Sequence, residues 1–134
     1  YYLTCGKSAP RVGNAHATIV PYQVFETLDG HIILAIGNDG QFAKFCTLAG
    51  HPEWASDPRF IKNKDRVIHR EILVPLVSAI MPPRSDADWL KACEEADIPC
   101  GPIHSMDKVF DWPQFQAREM KIQMLHTLSP SPID

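Results

Sequence analysis

The sequence predicts an α+β fold, in which a small antiparallel β-sheet (a hairpin plus one or two further strands) carries several packed helices. Three observations predict it. Two short runs rich in β-forming residues flank a turn at Leu28-Asp29-Gly30. Much of the remaining chain places apolar residues at spacings of three and four, the helical period. The strands and helices do not alternate as βαβ units, which argues against a parallel sheet.

Taken in order, Tyr1-Tyr2-Leu3-Thr4-Cys5-Gly6-Lys7 reads as the last turn of a helix closed by glycine. Residues 8–21, with Pro10, Gly13, Asn14 and Pro21, form a long polar loop. Tyr22 to Thr27 is a strand, and His31 to Ile36 a second, more continuously apolar and so more buried. Gly30 supplies positive φ for the turn between them. After Gly37-Asn38-Asp39-Gly40 a helix buries Phe42, Phe45, Cys46 and Ala49, with Asn38 or Asp39 as its cap and Gly50 as its stop. Pro52 to Arg59 is a loop, and Trp54 and Phe60 tuck inward.

Val67 to Met81 reads as one helix with Ile68, Ile72, Leu76 and Ile80 on its buried face, supported by Leu73 and Val77. Pro75 kinks it or marks the first turn of a later helix. Pro82-Pro83 stops it. Ser85 and Asp88 resemble a capping box for a helix from Asp86 to Ala96 that buries Trp89, Cys93 and Ala96. Pro99 and Pro102 hold Asp97 to Ile103 extended. Ser105 caps a short helix to Phe110, a further turn lies at Gln114 to Arg118, and Lys121 to His126 alternates as a strand.

Composition narrows the function. At 134 residues the chain has room for one ordinary domain. Its net charge of −3 argues against a nucleic-acid footprint and makes any anion site a local affair. Cys5, Cys46, Cys93 and Cys100 show no metal-ligand spacing, and Cys46 and Cys93 read as buried thiols. The six histidines form no HExxH or similar pattern, so no metal is expected. No run is apolar for the length of a membrane span, and no signal peptide is visible. The chain reads as cytoplasmic, and both of its ends read as interrupted.

Two segments carry candidate chemistry. Gly37-Asn38-Asp39-Gly40-Gln41 joins a buried strand to a helix N-terminus, where backbone N–H groups and the helix dipole can meet an anion or a carbonyl oxygen. The plain alternative is a capped helix after a tight turn. Gly13-Asn14-Ala15-His16 lies in the long loop, where glycine lets backbone approach a ligand and His16 can titrate near neutral pH. The plain alternative there is a surface loop. Trp54, Trp89 and Trp112 read as core anchors, and Arg66, Arg70 and Glu71 as a solvated helix face.

One ordered set of short motifs goes further. Gly6-Lys7, Gly13 to His16, Ile19 to Phe25, Asp29-Gly30, Gly37 to Phe42, Asp57-Pro58-Arg59-Phe60, Asn63, Arg66-Val67, Arg70 and Pro99 to Ile103 together resemble the class III CoA-transferases of the CaiB/BaiF type. That family includes formyl-CoA transferase, carnitine CoA-transferase, succinyl-CoA:glutarate CoA-transferase and α-methylacyl-CoA racemase. The resemblance runs from about Tyr2 to about Leu128.

The resemblance implies a small domain inserted in a large nucleotide-fold domain. On that reading residues 1–21 are a connecting segment and loop, 22–119 the small α+β domain, and 120–134 a return segment toward the large domain. The family's nucleophilic aspartate lies upstream and matches no residue here, so the chain alone is expected to be inactive. The resemblance further implies that Gly13, Asn14, His16, Gly37, Asn38, Asp39, Gly40 and Gln41 shape the acyl pocket. It implies an acyl-CoA thioester and a carboxylic acid as substrates of the parent enzyme, no tightly bound cofactor, no nucleic-acid or membrane partner, and a homo-oligomer. Asp39 lies near the position where the racemase has an acidic residue for proton transfer, which makes it a candidate accessory acid or base and leaves a racemase-like parent open. A free-standing module that binds acyl-CoA or a protein without catalysis is the remaining alternative.

Overall fold

The computed structural model describes residues 2–125, 127–129, 131 and 132; Tyr1 and His126, named in the readings above, lie outside them. The chain divides into two compact units, Tyr1–Ile103 and His104–Asp134.

The first unit is built on the expected hairpin. Strands β1 (Tyr22–Glu26) and β2 (His31–Ala35) pair antiparallel, from Tyr22 opposite Ala35 to Glu26 opposite His31. A third strand, β3 (Cys100–Pro102), pairs antiparallel with β2, giving the order β1-β2-β3. The central place of β2 explains its apolar run: Ile32 and Leu34 are fully buried. Pro102 sits on the edge strand, where a residue without an N–H can be tolerated.

Gly30 is needed for a different reason from the one the turn suggested. Its φ is not positive. Instead a Cβ on Gly30 would lie 2.5 Å from a carboxylate oxygen of Asp86. The turn docks on the start of helix α5 (Asp86–Glu95): the Thr27 hydroxyl donates to the Asp86 carboxylate, the Asp86 amide to Asp29 at 2.8 Å, and the Leu28 amide to the Arg84 carbonyl at 3.0 Å.

Preceding the hairpin, a short helix α1 (Tyr2–Cys5) closes at Gly6, which takes a φ of +69° as the terminal-glycine reading requires. Helix α2 (Asp39–Leu48) buries Phe42, Phe45 and Cys46, and Gly50 stops it at a φ of +80°. In α5 the Ser85 side chain accepts from the Asp88 amide, the forward half of a capping box, while the Asp88 carboxylate accepts from the Ser85 hydroxyl and not from its backbone amide. Trp89 and Cys93 are buried, and the Trp89 indole N–H reaches the Met81 carbonyl at 2.9 Å. A 3-10 turn at Pro52–Ser56 carries the buried Trp54, and Phe60 is buried just after it. Sheet, α2 and α5 thus close over one core, to which Leu73, Val77 and Met81 also contribute.

Expectations about the later helices and the end of the chain fail. Val67 to Met81 is not one helix: α3 (Asn63–Ile68) and α4 (Arg70–Ile80) meet at His69, whose φ of −101° and ψ of 24° break the run. The break resets the helical phase. Leu73 and Val77 therefore face the core, while Ile68, Ile72 and Leu76 are exposed. Of the two readings of Pro75, the one that keeps it within a helix holds and the one that places it in the first turn of a later helix does not, since it lies inside α4. In the second unit, which holds α6 (Met106–Asp111) and α7 (Pro113–Ala117), Trp112 is not a core anchor; it is exposed and rests on the His104 ring at 4.3 Å. Residues 121–125 form no strand, and Met124 alone makes an isolated bridge.

Candidate functional site

Helix α3 ties the strand-to-helix junction to the end of the long loop, bonding Asp39 on one side and Thr18 and Val20 on the other. The strand-to-helix junction is a built cap. Asn38 takes extended backbone angles, and its side-chain oxygen accepts from the Gln41 amide at 2.8 Å. The Gln41 side chain reaches back to accept from the Gly37 amide at 2.9 Å, one residue beyond the usual partner of a capping box. A Cβ at Gly40 would press on the Asn38 side chain at 3.3 Å. Asn38 is therefore the cap, and Asp39 is free to do something else.

Asp39 turns toward α3. One carboxylate oxygen accepts from the Asn63 amide at 2.9 Å and from the Arg66 guanidinium at 3.0 Å; the other lies 3.3 Å from the Lys62 ammonium. Partial burial works to raise its pKa, but the bonds from Arg66 and Lys62, the Arg66 charge and the Asn63 amide outweigh it and hold the carboxyl below its ordinary value. Asp39 is thus an ionised acceptor with its partners already in place.

Arg66 overturns its reading as a solvated residue, for it is fully buried. Its guanidinium donates to the Val20 carbonyl at 2.7 Å, the Phe60 carbonyl at 2.8 Å and Asp39, and lies 4.4 Å from the centre of the Phe42 ring. Burial pulls its pKa down against the opposing pull of Asp39, yet a guanidinium stays charged throughout the working range.

The long loop is tied to the same helices. Asn63 accepts from the Val20 amide at 3.1 Å and donates to the Thr18 carbonyl at 2.8 Å. Arg70 donates to the carbonyls of His16 at 2.7 Å and Ala17 at 3.0 Å, so it too has a loop to hold. Asn14 accepts from the Val24 amide on β1 at 3.0 Å. The His16 ring stacks on Tyr22 and accepts from the Thr18 amide at 3.2 Å. Gly13 is exposed with a φ of +61°. Asn14 and His16 are thereby fixed on one side and Asp39 on the other, with Asn63 and Arg66 between them. Gly37, Asn38, Gly40 and Gln41 make up the cap that orients Asp39.

Sequence reading missed Asn63, Arg66 and Arg70 as site residues. Their spacings of three and four do not mark a shared face, because the break at His69 puts Arg70 on a different helix from Asn63 and Arg66. Among the described residues no group of three or more His, Cys, Asp or Glu side chains could hold a metal ion. Nor is any helix among them long and apolar enough to cross a membrane.

A family model described as CoA-transferase family III matches residues 1–133. The chain belongs to that family. It is 42% identical to the succinate–glutarate CoA-transferase of Agrobacterium fabrum over 92% of its own length and 31% of that protein. It is 33% identical to the acetyl-CoA:oxalate CoA-transferase of Acetobacter aceti, across 93% of the chain and 32% of the relative. The solved structure of a CaiB/BaiF family protein from Brucella suis superimposes with a TM-score of 0.80 at 39% identity, covering 98% of this chain and 37% of that one. This family III chain therefore spans about a third of the length of its relatives.

Proposed function

We propose that this chain is the small, acyl-side domain of an acyl-CoA:carboxylate CoA-transferase whose nucleophilic aspartate lies outside these 134 residues. In such a reaction the donor's thioester bond breaks, a thioester forms on the acceptor acid, and the donor acid leaves as a free carboxylate. The observation that carries this reading is the match to family III over residues 1–133, combined with 42% identity to a named transferase.

The geometry supports a wall over the acyl group. Loop residues 16–20 are held by Asn63, Arg66 and Arg70. A pre-set wall of this kind excludes water from an activated acyl intermediate without reorganising when substrate arrives. Asp39 suits support of that wall better than proton transfer, because a carboxylate held ionised by three donors is a weak base and a poor acid.

The test compares the purified 134-residue chain with the same chain inside its complete reading frame, using succinyl-CoA as donor and glutarate as acceptor. The longer protein should exchange CoA and the chain alone should not. Turnover by the chain alone that hydroxylamine abolishes would place a nucleophile within it and overturn the proposal. Asp39→Asn in the longer protein should keep most of the activity; a loss of about 10²-fold or more with unchanged stability would instead make Asp39 an acid or base.

A further inference from the structure

A cleft of about 320 Å³ lies between the loop, β1 and the first turns of α4, lined by Arg11, Val12, Ala15, Gln23, Arg70 and Glu71 among others. Two arginines in one small cleft repel each other unless something anionic sits between them. Among the described residues neither Arg11 nor Arg70 makes an ion pair, with Glu71 or with any other carboxylate. Arg11 is exposed.

Arg70 is the fixed member. One of its terminal nitrogens is spent on the His16 and Ala17 carbonyls, which anchors the guanidinium plane and leaves its Nε and its other terminal nitrogen as donors. Arg11 and Arg70 less Glu71 leave the cleft one positive charge, in a chain whose net charge is −3. Gln23 adds an amide, and Val12 and Ala15 add an apolar wall.

We infer that this cleft holds the non-reacting carboxylate of a short dicarboxylic acid, with Arg11 and Arg70 as its cationic partners. The inference rests on the transferase reading and adds a substrate class to it. Succinate, glutarate and oxalate, the acids in the relatives' names, are all dicarboxylates. Only one carboxylate of such an acid becomes a thioester. The other keeps its charge, must be desolvated with a partner, and distinguishes these acids from monocarboxylates of the same length. A guanidinium already held in place by two carbonyls offers that partner a planar, directional pair of donors.

The test is an NMR titration of the 134-residue chain with glutarate in low-salt buffer, following the amides of Ala15, Gln23 and Arg70. Saturable shifts confined to these residues are expected, with pentanoate and inorganic phosphate each binding at least about tenfold more weakly. Arg11→Gln should weaken glutarate about tenfold with the rest of the spectrum unchanged, since among the described residues Arg11 makes no ion pair. Arg11→Lys should fall between the two, because it keeps the charge and loses the fork. Glu71→Gln should tighten binding. The inference is overturned if glutarate gives no saturable shift, if phosphate or pentanoate binds as well, or if Arg11→Gln changes nothing. Failure here while the longer protein transfers CoA removes the cleft and leaves the transferase reading standing; binding here without transfer does the reverse.

Discussion

Arg66 shows how much one side chain can organise. It is fully buried and joins three remote points, Val20, Phe60 and Asp39, while its plane lies over Phe42. Arg66→Ala strands two buried carbonyls and removes the charge that Asp39 faces. It should cost about 3 kcal/mol or more, the scale for breaking a buried ion pair from one side. Arg66→Lys should recover only part, since one ammonium cannot reproduce the fork. Urea unfolding of both variants checks this; equal stability of wild type and Arg66→Ala would show that the three bonds are not formed.

Asp39 sets a second residue-scale expectation. Because Asn38 caps α2, loss of a cap is not the cost of changing Asp39. Asp39→Asn keeps the shape and removes the charge beside Arg66, so it should cost about 1–2 kcal/mol at neutral pH, the scale of hydrogen bonds to charged groups reduced by the partial exposure of the side chain. The folded pKa of Asp39 lies below the unfolded value of 3.8. Its stabilisation is therefore complete above that value and is lost as pH falls through the lower folded one. The gap between wild type and Asp39→Asn should narrow over that acid window in melts taken across pH. Asp57, held down to about 2 first by its bond from Arg59, loses its own part in the same direction and is common to both proteins. A gap that stays constant to low pH would show that the Asp39 charge plays no part.

At the scale of elements, what the sequence made legible was local. The hairpin, the α2 cap and the stop at Gly50 each depend on neighbours within a few residues, and all three appear as read. Arg66 and the His69 break were not legible. A charged residue beside Arg70 and Glu71 fits a solvated face until distant carbonyls are known to converge on it. At His69 there is neither glycine nor proline to announce a break, while Pro75 drew attention to the wrong place.

Two helix ends also invite comparison. Gly50 and Asp97 both follow a helix and both take positive φ, +80° and +57°, but only one of them is glycine. The left-handed conformation costs an L-residue roughly 1–2 kcal/mol. Glycine in the unfolded chain gives back about 0.5–1 kcal/mol of that. The Lys44–Asp97 pair at 3.8 Å is exposed and contributes little. Asp97→Gly should therefore stabilise the chain by roughly 0.5 kcal/mol, seen as a raised melting temperature. A lowered one would mean that the Asp97 side chain contributes more than its surface pair suggests.

For the whole molecule, the decisive fact is that this chain is about a third as long as the relatives it matches. Large apolar side chains stand exposed in both units: Tyr2 and Leu3 in the first, Ile122, Met124, Leu125 and Leu128 in the second. Leu3 is 98% exposed, Leu125 89% and Leu128 88%. Scattered apolar residues are ordinary on a surface, but a cluster over a few residues of chain favours covering. With nothing else present, a second copy is the available cover, and two copies meeting through the same segments would form a closed, symmetric pair. The purified chain should therefore show a mass that rises with concentration in light scattering. Replacing Leu125 and Leu128 with serine should lower that mass without lowering the melting temperature, because both side chains are exposed. A mass that stays monomeric at high concentration would show these side chains are tolerated in water. Association that survives the double substitution would move the contact to Tyr2 and Leu3, where Leu3→Ser is the next variant to measure.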